Sequence, residues 1–154
     1  MAYADSIRAA TATTEEIASL IEGLLIGNSG QYESDPNASA ISTTSTSFVD
    51  VTSASVTVSV AANEKALVLG QLNFSQSVTN AAVLIRVAQD GTGGGYSIGR
   101  AYRSSTGGQD GCLFCASIFA PSAGSRTYTL QWRASSDTAY TRFYALYVFP
   151  FQAS

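Results

Sequence analysis

Tyr140-Thr-Arg-Phe-Tyr-Ala-Leu-Tyr-Val-Phe149, closed by Pro150, decides how the rest of the chain is read. Side chains alternate across a strand, so Phe143, Ala145, Tyr147 and Phe149 fall on one face and Tyr144, Leu146 and Val148 on the other. Both faces are apolar. An antiparallel strand in a monomeric sandwich needs one buried face, and a second must be covered by another sheet, by the rest of the chain or by another subunit. In a chain of 154 residues the reading favours a subunit.

That length suits one domain with a core of its own. The composition is 45% hydrophobic and only 12% charged, so the surface must be largely Ser, Thr, Asn, Gln and Gly. Such a surface fits a β-rich domain and equally a protein covered in an assembly. Charge is uneven along the chain: residues 1–46 hold six carboxylates against Arg8 alone, net −5, and residues 47–154 hold seven cations against five carboxylates, net +2. The acidic segment is either solvated or docks on a basic partner. Neither part has the basic density of a nucleic-acid footprint, so no nucleic-acid partner is expected. No apolar run long enough for a membrane span is present and no basic region leads into an apolar one, so neither a membrane nor a secretory route is expected. The glycosylation patterns at Asn37-Ala-Ser and Asn73-Phe-Ser are therefore read as chance, and the protein as made in a cytoplasm.

Two parts follow from the change of pattern along the chain, an N-terminal part at 1–46 and a sandwich at 47–154. Met1 to Ala12 lacks a period and reads as an arm ordered only by contact. Thr13-x-x-Glu16 is a capping box, and Ile17, Leu20, Ile21, Leu24 and Leu25 then form one apolar stripe of a short α-helix stopped at Gly27. A short amphipathic helix is marginal alone, so it packs on its own sandwich or anchors the protein to a partner. Asn28 to Thr46 reads as a linker. Eight strands are expected after it: Ser47–Val51, Ser55–Val60, Ala66–Phe74, Ala82–Ala88, Tyr96–Arg103, Cys112–Phe119, Arg126–Arg133 and Tyr140–Phe149. Turn residues at Asp90-Gly91, Asp110-Gly111, Pro121 to Gly124 and Ser135 to Asp137 separate several of them. The pattern is mainly β, an antiparallel eight-stranded sandwich carrying an N-terminal arm and helix.

Catalytic chemistry is not evident. The chain has no histidine, which removes the commonest general base and metal ligand. Cys112-Leu-Phe-Cys115 has the spacing of a metal or redox motif, but on a strand its two thiols point to opposite faces. Two small core or interface residues, with a contact between cysteines of different subunits left open, is the reading. Carboxylates show neither a calcium loop nor a paired acid and base. No enzyme, metal or cofactor is expected. Gly93-Gly-Gly95 lacks the lysine and helix of a phosphate loop and reads as a hairpin loop; Tyr96, Arg100 and Tyr102 beside it are the candidates for a displayed recognition loop. The strand arginines Arg86, Arg100, Arg103, Arg126, Arg133 and Arg142 are read mainly as solvated, with pairing across subunits or to an anionic glycan as the alternatives.

The sandwich portion resembles a known family. Thr46-Ser-Phe-Val-Asp-Val51 leading to Ser55-Val-Thr-Val-Ser-Val60, Lys65-Ala-Leu-Val-Leu69, Leu84 to Gly91, Gly124-Ser-Arg-Thr-Tyr-Thr-Leu-Gln-Trp-Arg133 and the final aromatic strand look like the trimeric jelly-roll modules of bacteriophage structural proteins. Those modules are similar in shape to tumour necrosis factor and complement-type heads. The resemblance spans residues 45–149 and implies a jelly roll, a homotrimer packed through an aromatic-rich sheet, and no catalytic residues. Tyr140, Tyr144, Leu146, Tyr147 and Val148 are then the expected trimer contacts, with Ile17, Leu20, Ile21, Leu24 and Leu25 anchoring to the major capsid protein or another virion protein. The implied role is a capsid decoration (cement) protein on the outer surface of the virion. A tail-fibre head or receptor-binding tip for host glycans is the alternative, and a soluble carbohydrate-binding jelly roll the second.

Overall fold

The final aromatic stretch is the centre of a sheet and is broken in its middle. In the computed structural model, which describes residues 29–34, 39–76, 82–93, 99–102 (backbone) and 111–152, it forms β10 (Ala139–Thr141) and β11 (Tyr144–Gln152). Between them the chain bends at Arg142 and Phe143, where one side chain and one main-chain N–H supply hydrogen bonds. The Ser34 hydroxyl donates to the Arg142 carbonyl at 3.1 Å and accepts from the Tyr144 N–H at 3.0 Å, while the Asn73 N–H donates to the Phe143 carbonyl at 2.9 Å. The predicted single strand Tyr140–Phe149 is corrected accordingly.

β4 (Glu64–Gln76) runs antiparallel alongside both pieces, with β8 (Gly111–Phe119) on its other side. The outer line of this six-stranded first sheet is made by β1 (Gly30–Glu33) on β11 and β2 (Ile41–Thr43) on β10. β1 and β2 are thus strands of the sandwich, where the sequence reading expected a linker. Strands of four and three residues carry too few apolar positions for alternation to register. Only Tyr32 and Ile41 of these strands pack on the core as apolar side chains.

The second, five-stranded sheet places β3 (Val49–Val60) beside β9 (Gly124–Ala134), then β5 (Ala82–Gln89), which pairs with β6 (Thr92–Gly93) and β7 (Gly99–Tyr102). Eleven strands are therefore described where eight were expected. The segments Ser47–Val51 and Ser55–Val60 are one strand, its register shifted between Asp50 and Ser55, with Ser53 at φ 63°. Asp90 and Gly91, at φ 48° and 77°, make the tight turn from β5 to β6, as their residue types predict. From β3 onwards the strands change sheet between β3 and β4, β4 and β5, β7 and β8, β8 and β9, and β9 and β10. The result is a mainly β, antiparallel sandwich of two sheets.

The core lies between the sheets. Val56, Val58, Val83, Ile85, Val87, Tyr128, Leu130 and Trp132 face it from the second sheet, and Val68, Leu72, Leu113, Tyr144, Leu146 and Val148 from the first. At Gly70 there is no room for a side chain: a Cβ there would lie 2.6 Å from Leu130 of the second sheet and 2.8 Å from the Cys115 sulfur. The Tyr144 hydroxyl donates to the Thr52 carbonyl at 2.8 Å, which ties the centre of the first sheet to the bulge in β3.

Asp90 fastens the turn to β9. Its carboxylate accepts from the Thr127 N–H at 2.9 Å and from Arg126 at 3.1 Å, and its own N–H donates to the Thr127 carbonyl at 2.7 Å. The Thr127 bond above all, with Arg126 beside it, holds the carboxyl below its ordinary value. A carboxyl depressed in the folded state stabilises fully above its unfolded value, about 4, and loses that contribution as pH falls through the folded one. Asp90→Asn is expected to lower the urea midpoint at pH 7 and to shrink the drop on acidification. Midpoints compared between pH 2 and 7 check this.

Candidate functional site

The two sheets present different outer faces. On the second sheet that face is polar. Ser55, Thr57 and Ser59 line β3, opposite Thr129, Thr127 and Ser125 on β9, and the Thr57 and Thr127 hydroxyls meet at 2.8 Å. Farther along, Arg86 Nε donates to Gln131 Oε1 at 2.7 Å and Gln131 Nε2 donates to Asp50 at 2.7 Å. The Arg86 guanidinium also lies 4.2 Å from the centre of the Phe48 ring. Polar groups paired along a sheet in this way are compatible with water.

The first sheet presents hydrocarbon instead. The register puts Tyr147, Leu69 and Ala116 in one row across β11, β4 and β8, and Phe149, Leu67 and Ile118 in another. A third row is Ala145, Gln71 and Phe114. Phe114 is 65% exposed, Ile118 59% and Leu69 36%. Single exposed apolar side chains are ordinary, but large ones on adjoining strands of one face mark a surface that another molecule covers. Lys65 and Asn73 close the β4 line of this patch.

The predicted contact residues divide between the two sides of the sheet. Tyr147 lies on the outer face, where its hydroxyl donates to Glu33 of β1; that bond, with some burial, raises the phenol above its ordinary value. Tyr140 lies on the outer face of β10 and is 38% exposed. Tyr144, Leu146 and Val148, by contrast, point inward, at 7%, 0% and 0% exposure. The chain's own second sheet covers them, so their expected place in a subunit contact is corrected. Arg100 and Tyr102 stand on β7, in register with Leu84 and Ala82. Tyr96 and the stripe Ile17, Leu20, Ile21, Leu24 and Leu25 lie outside the described residues.

Leu67, Leu69, Phe114 and Ile118 were not singled out from sequence, although the signal was present. Cys112-Leu-Phe-Cys-Ala-Ser-Ile-Phe119 is apolar on both alternating faces, as Tyr140–Phe149 is, and the cysteine spacing drew the reading away from it. The two cysteines do face opposite sides: Cys112 is exposed and Cys115 is buried, and both thiols are free. Burial pushes the Cys115 thiol up to about 12, so little thiolate forms there at neutral pH. One thiol is expected to react with a colorimetric disulfide reagent at pH 8 in the native protein and two after denaturation. Two fast native thiols would contradict the burial of Cys115.

No protein-family model matches the sequence, and no curated protein matches it. Solved structures do. The chain is similar to the Eiger TNF of S. frugiperda, at 14% identity and a TM-score of 0.53, over 82% of this chain and 94% of that one. It is also similar to the VP2 subviral particle protein of infectious bursal disease virus, at 15% identity and a TM-score of 0.51, over 80% of this chain and 33% of that one. The Gt strain of the same virus gives 14% identity and 0.51, over 77% and 32%. The chain therefore spans about a third of the length of those viral chains. At such identities the likeness concerns the fold, and the fold is a jelly-roll sandwich.

Proposed function

We propose that the chain is a non-enzymatic structural protein of a phage virion, a homotrimer that decorates the capsid and stabilises the shell from its outer surface. The observation that carries the reading is the contrast between the two outer faces, one a hydrogen-bonded polar sheet and the other an apolar sheet centred on Leu69, Phe114, Ile118 and Tyr147. Removing apolar area from water stabilises association by roughly 25 cal/mol per Å², so a face of this kind is more stable against further copies of itself than against solvent. Support for a virion comes from the resemblance of residues 45–149 to phage jelly-roll modules, and from the same fold occurring in a viral subviral particle protein.

In this reading the N-terminal stripe of Ile17, Leu20, Ile21, Leu24 and Leu25 grips the major capsid protein or another virion protein. Three such segments act together, which turns weak single contacts into a durable attachment. No cofactor, metal or nucleic acid takes part. Native mass spectrometry, with negative-stain imaging of the protein mixed with capsids lacking it, tests the proposal. The expected result is trimers at regular lattice positions. A monomer would overturn the assembly reading, and trimers that ignore shells but attach to host cells would move the protein to the tail.

A further inference from the structure

The bend between β10 and β11 opens a cavity of about 510 Å³ on the first sheet, lined by Ala40, Asn73, Phe74, Ser75 and residues 140–143. That volume is in the ordinary range for small-molecule sites. Its wall combines an exposed tyrosine ring at Tyr140, a half-buried phenylalanine ring at Phe143, and the polar side chains of Asn73, Ser75 and Arg142. Among the described residues, the Tyr140 hydroxyl, the Arg142 guanidinium and the Asn73 amide have no hydrogen-bond partner. The backbone around them is engaged: the Arg142 and Phe143 carbonyls accept from Ser34 and Asn73 at 3.1 and 2.9 Å. The frame is thus fixed by the main chain, and the side chains projecting from it are left free to bind.

We propose that this cavity is a saccharide site, and that its ligand is a pyranose bearing a carboxylate. An aromatic ring with a negative face accepts the polarised C–H face of a sugar. Planar donors such as guanidinium and amide pair with vicinal oxygens in two-point contacts. Among the described lining residues Arg142 is the one charged at neutral pH and none is a carboxylate, which selects an acidic sugar over a neutral or cationic one. The site adjoins the apolar patch of the first sheet, since Asn73 belongs to both. It depends only on the bend, which one chain makes by itself.

Calorimetric titration and saturation-transfer NMR on the full chain, with glucuronate and N-acetylneuraminate as acidic probes and glucose as the neutral one, test the inference. At least one acidic sugar is expected to bind, with glucose about ten-fold weaker, the scale of one charged hydrogen bond. Arg142→Gln should remove the preference for acid, and Tyr140→Ala should abolish binding of both kinds. Arg142 is exposed and Tyr140 is 38% exposed, so both variants should fold, which circular dichroism verifies. The inference is overturned if neither acidic sugar binds, if glucose binds equally well, or if both variants bind as the parent does. Displacement of the sugar by polyglutamate at equal carboxylate concentration would assign the cavity to an acidic protein segment and overturn the saccharide reading.

Discussion

Ile118→Glu, with Phe114→Glu, is expected to leave the sandwich folded and to raise the dissociation constant of the proposed trimer at least a hundred-fold. In a single chain these side chains are 59% and 65% exposed, so a carboxylate replaces surface hydrocarbon and monomer stability should change by no more than about 0.5 kcal/mol. In the assembly the same carboxylate must leave water; Lys65 stands two residues along β4 from the partner of Ile118, whereas the row of Phe114, made by Gln71 and Ala145, holds no cation. An uncompensated buried charge costs several kcal/mol, which is more than a hundred-fold in affinity. Sedimentation velocity at micromolar concentration reads the result, and Thr57→Glu on the polar outer face supplies the matched control. Trimers that persist in the double variant would show that this face is not where copies meet.

Leu146→Asp should do the opposite, abolishing the fold rather than the assembly. Leu146 is 0% exposed and sits on the inward side of β11, between Tyr144 and Val148. Truncation of such a leucine to alanine costs about 2–5 kcal/mol through lost transfer energy and the cavity left behind. An aspartate adds the desolvation of an unpaired carboxylate, and the sum reaches the whole stability of a small domain. Urea denaturation and circular dichroism should show an unfolded or aggregated chain. Tyr147→Asp, one residue away on the opposite face, should stay folded and weaken association, since it removes the Glu33 hydrogen bond and places two carboxylates together. A folded Leu146→Asp monomer would restore the sequence-based assignment of that residue to a subunit contact.

These two variants mark how far the sequence could be read. Alternation along Tyr140–Phe149 showed correctly that both faces are apolar, and the turn residues at Asp90-Gly91 predicted a tight turn that is there. Period alone does not say which apolar face meets the chain's own second sheet, because both satisfy the same rule. That choice is made by register: pairing Leu146 with Gly70 sets which row turns inward. The bend at Arg142 was invisible for a similar reason, since it is held by Ser34, far away in sequence, and by the Asn73 N–H. β1 and β2 were too short to show a pattern, and they form because β11 and β10 offer them an edge. The cavity inherits this dependence, being lined from three separate parts of the chain that no spacing rule connects.

The position of β11 in the first sheet has a consequence for biosynthesis. It lies between β1 and β4, yet it follows the ten other described strands in the chain. While the ribosome has made only β1 to β9, the two sides of that sheet have no strand between them, and the long-range pairings that close it cannot form. The apolar rows of β4 and β8 then exist without Tyr147 and Phe149 to complete them. A nascent or prematurely terminated chain therefore cannot present the finished surface to its neighbours. Placing a late strand at the centre of the sheet ties completion of the apolar surface to synthesis of β11, and keeps chains that stop short of it from presenting that surface, without a separate proofreading step.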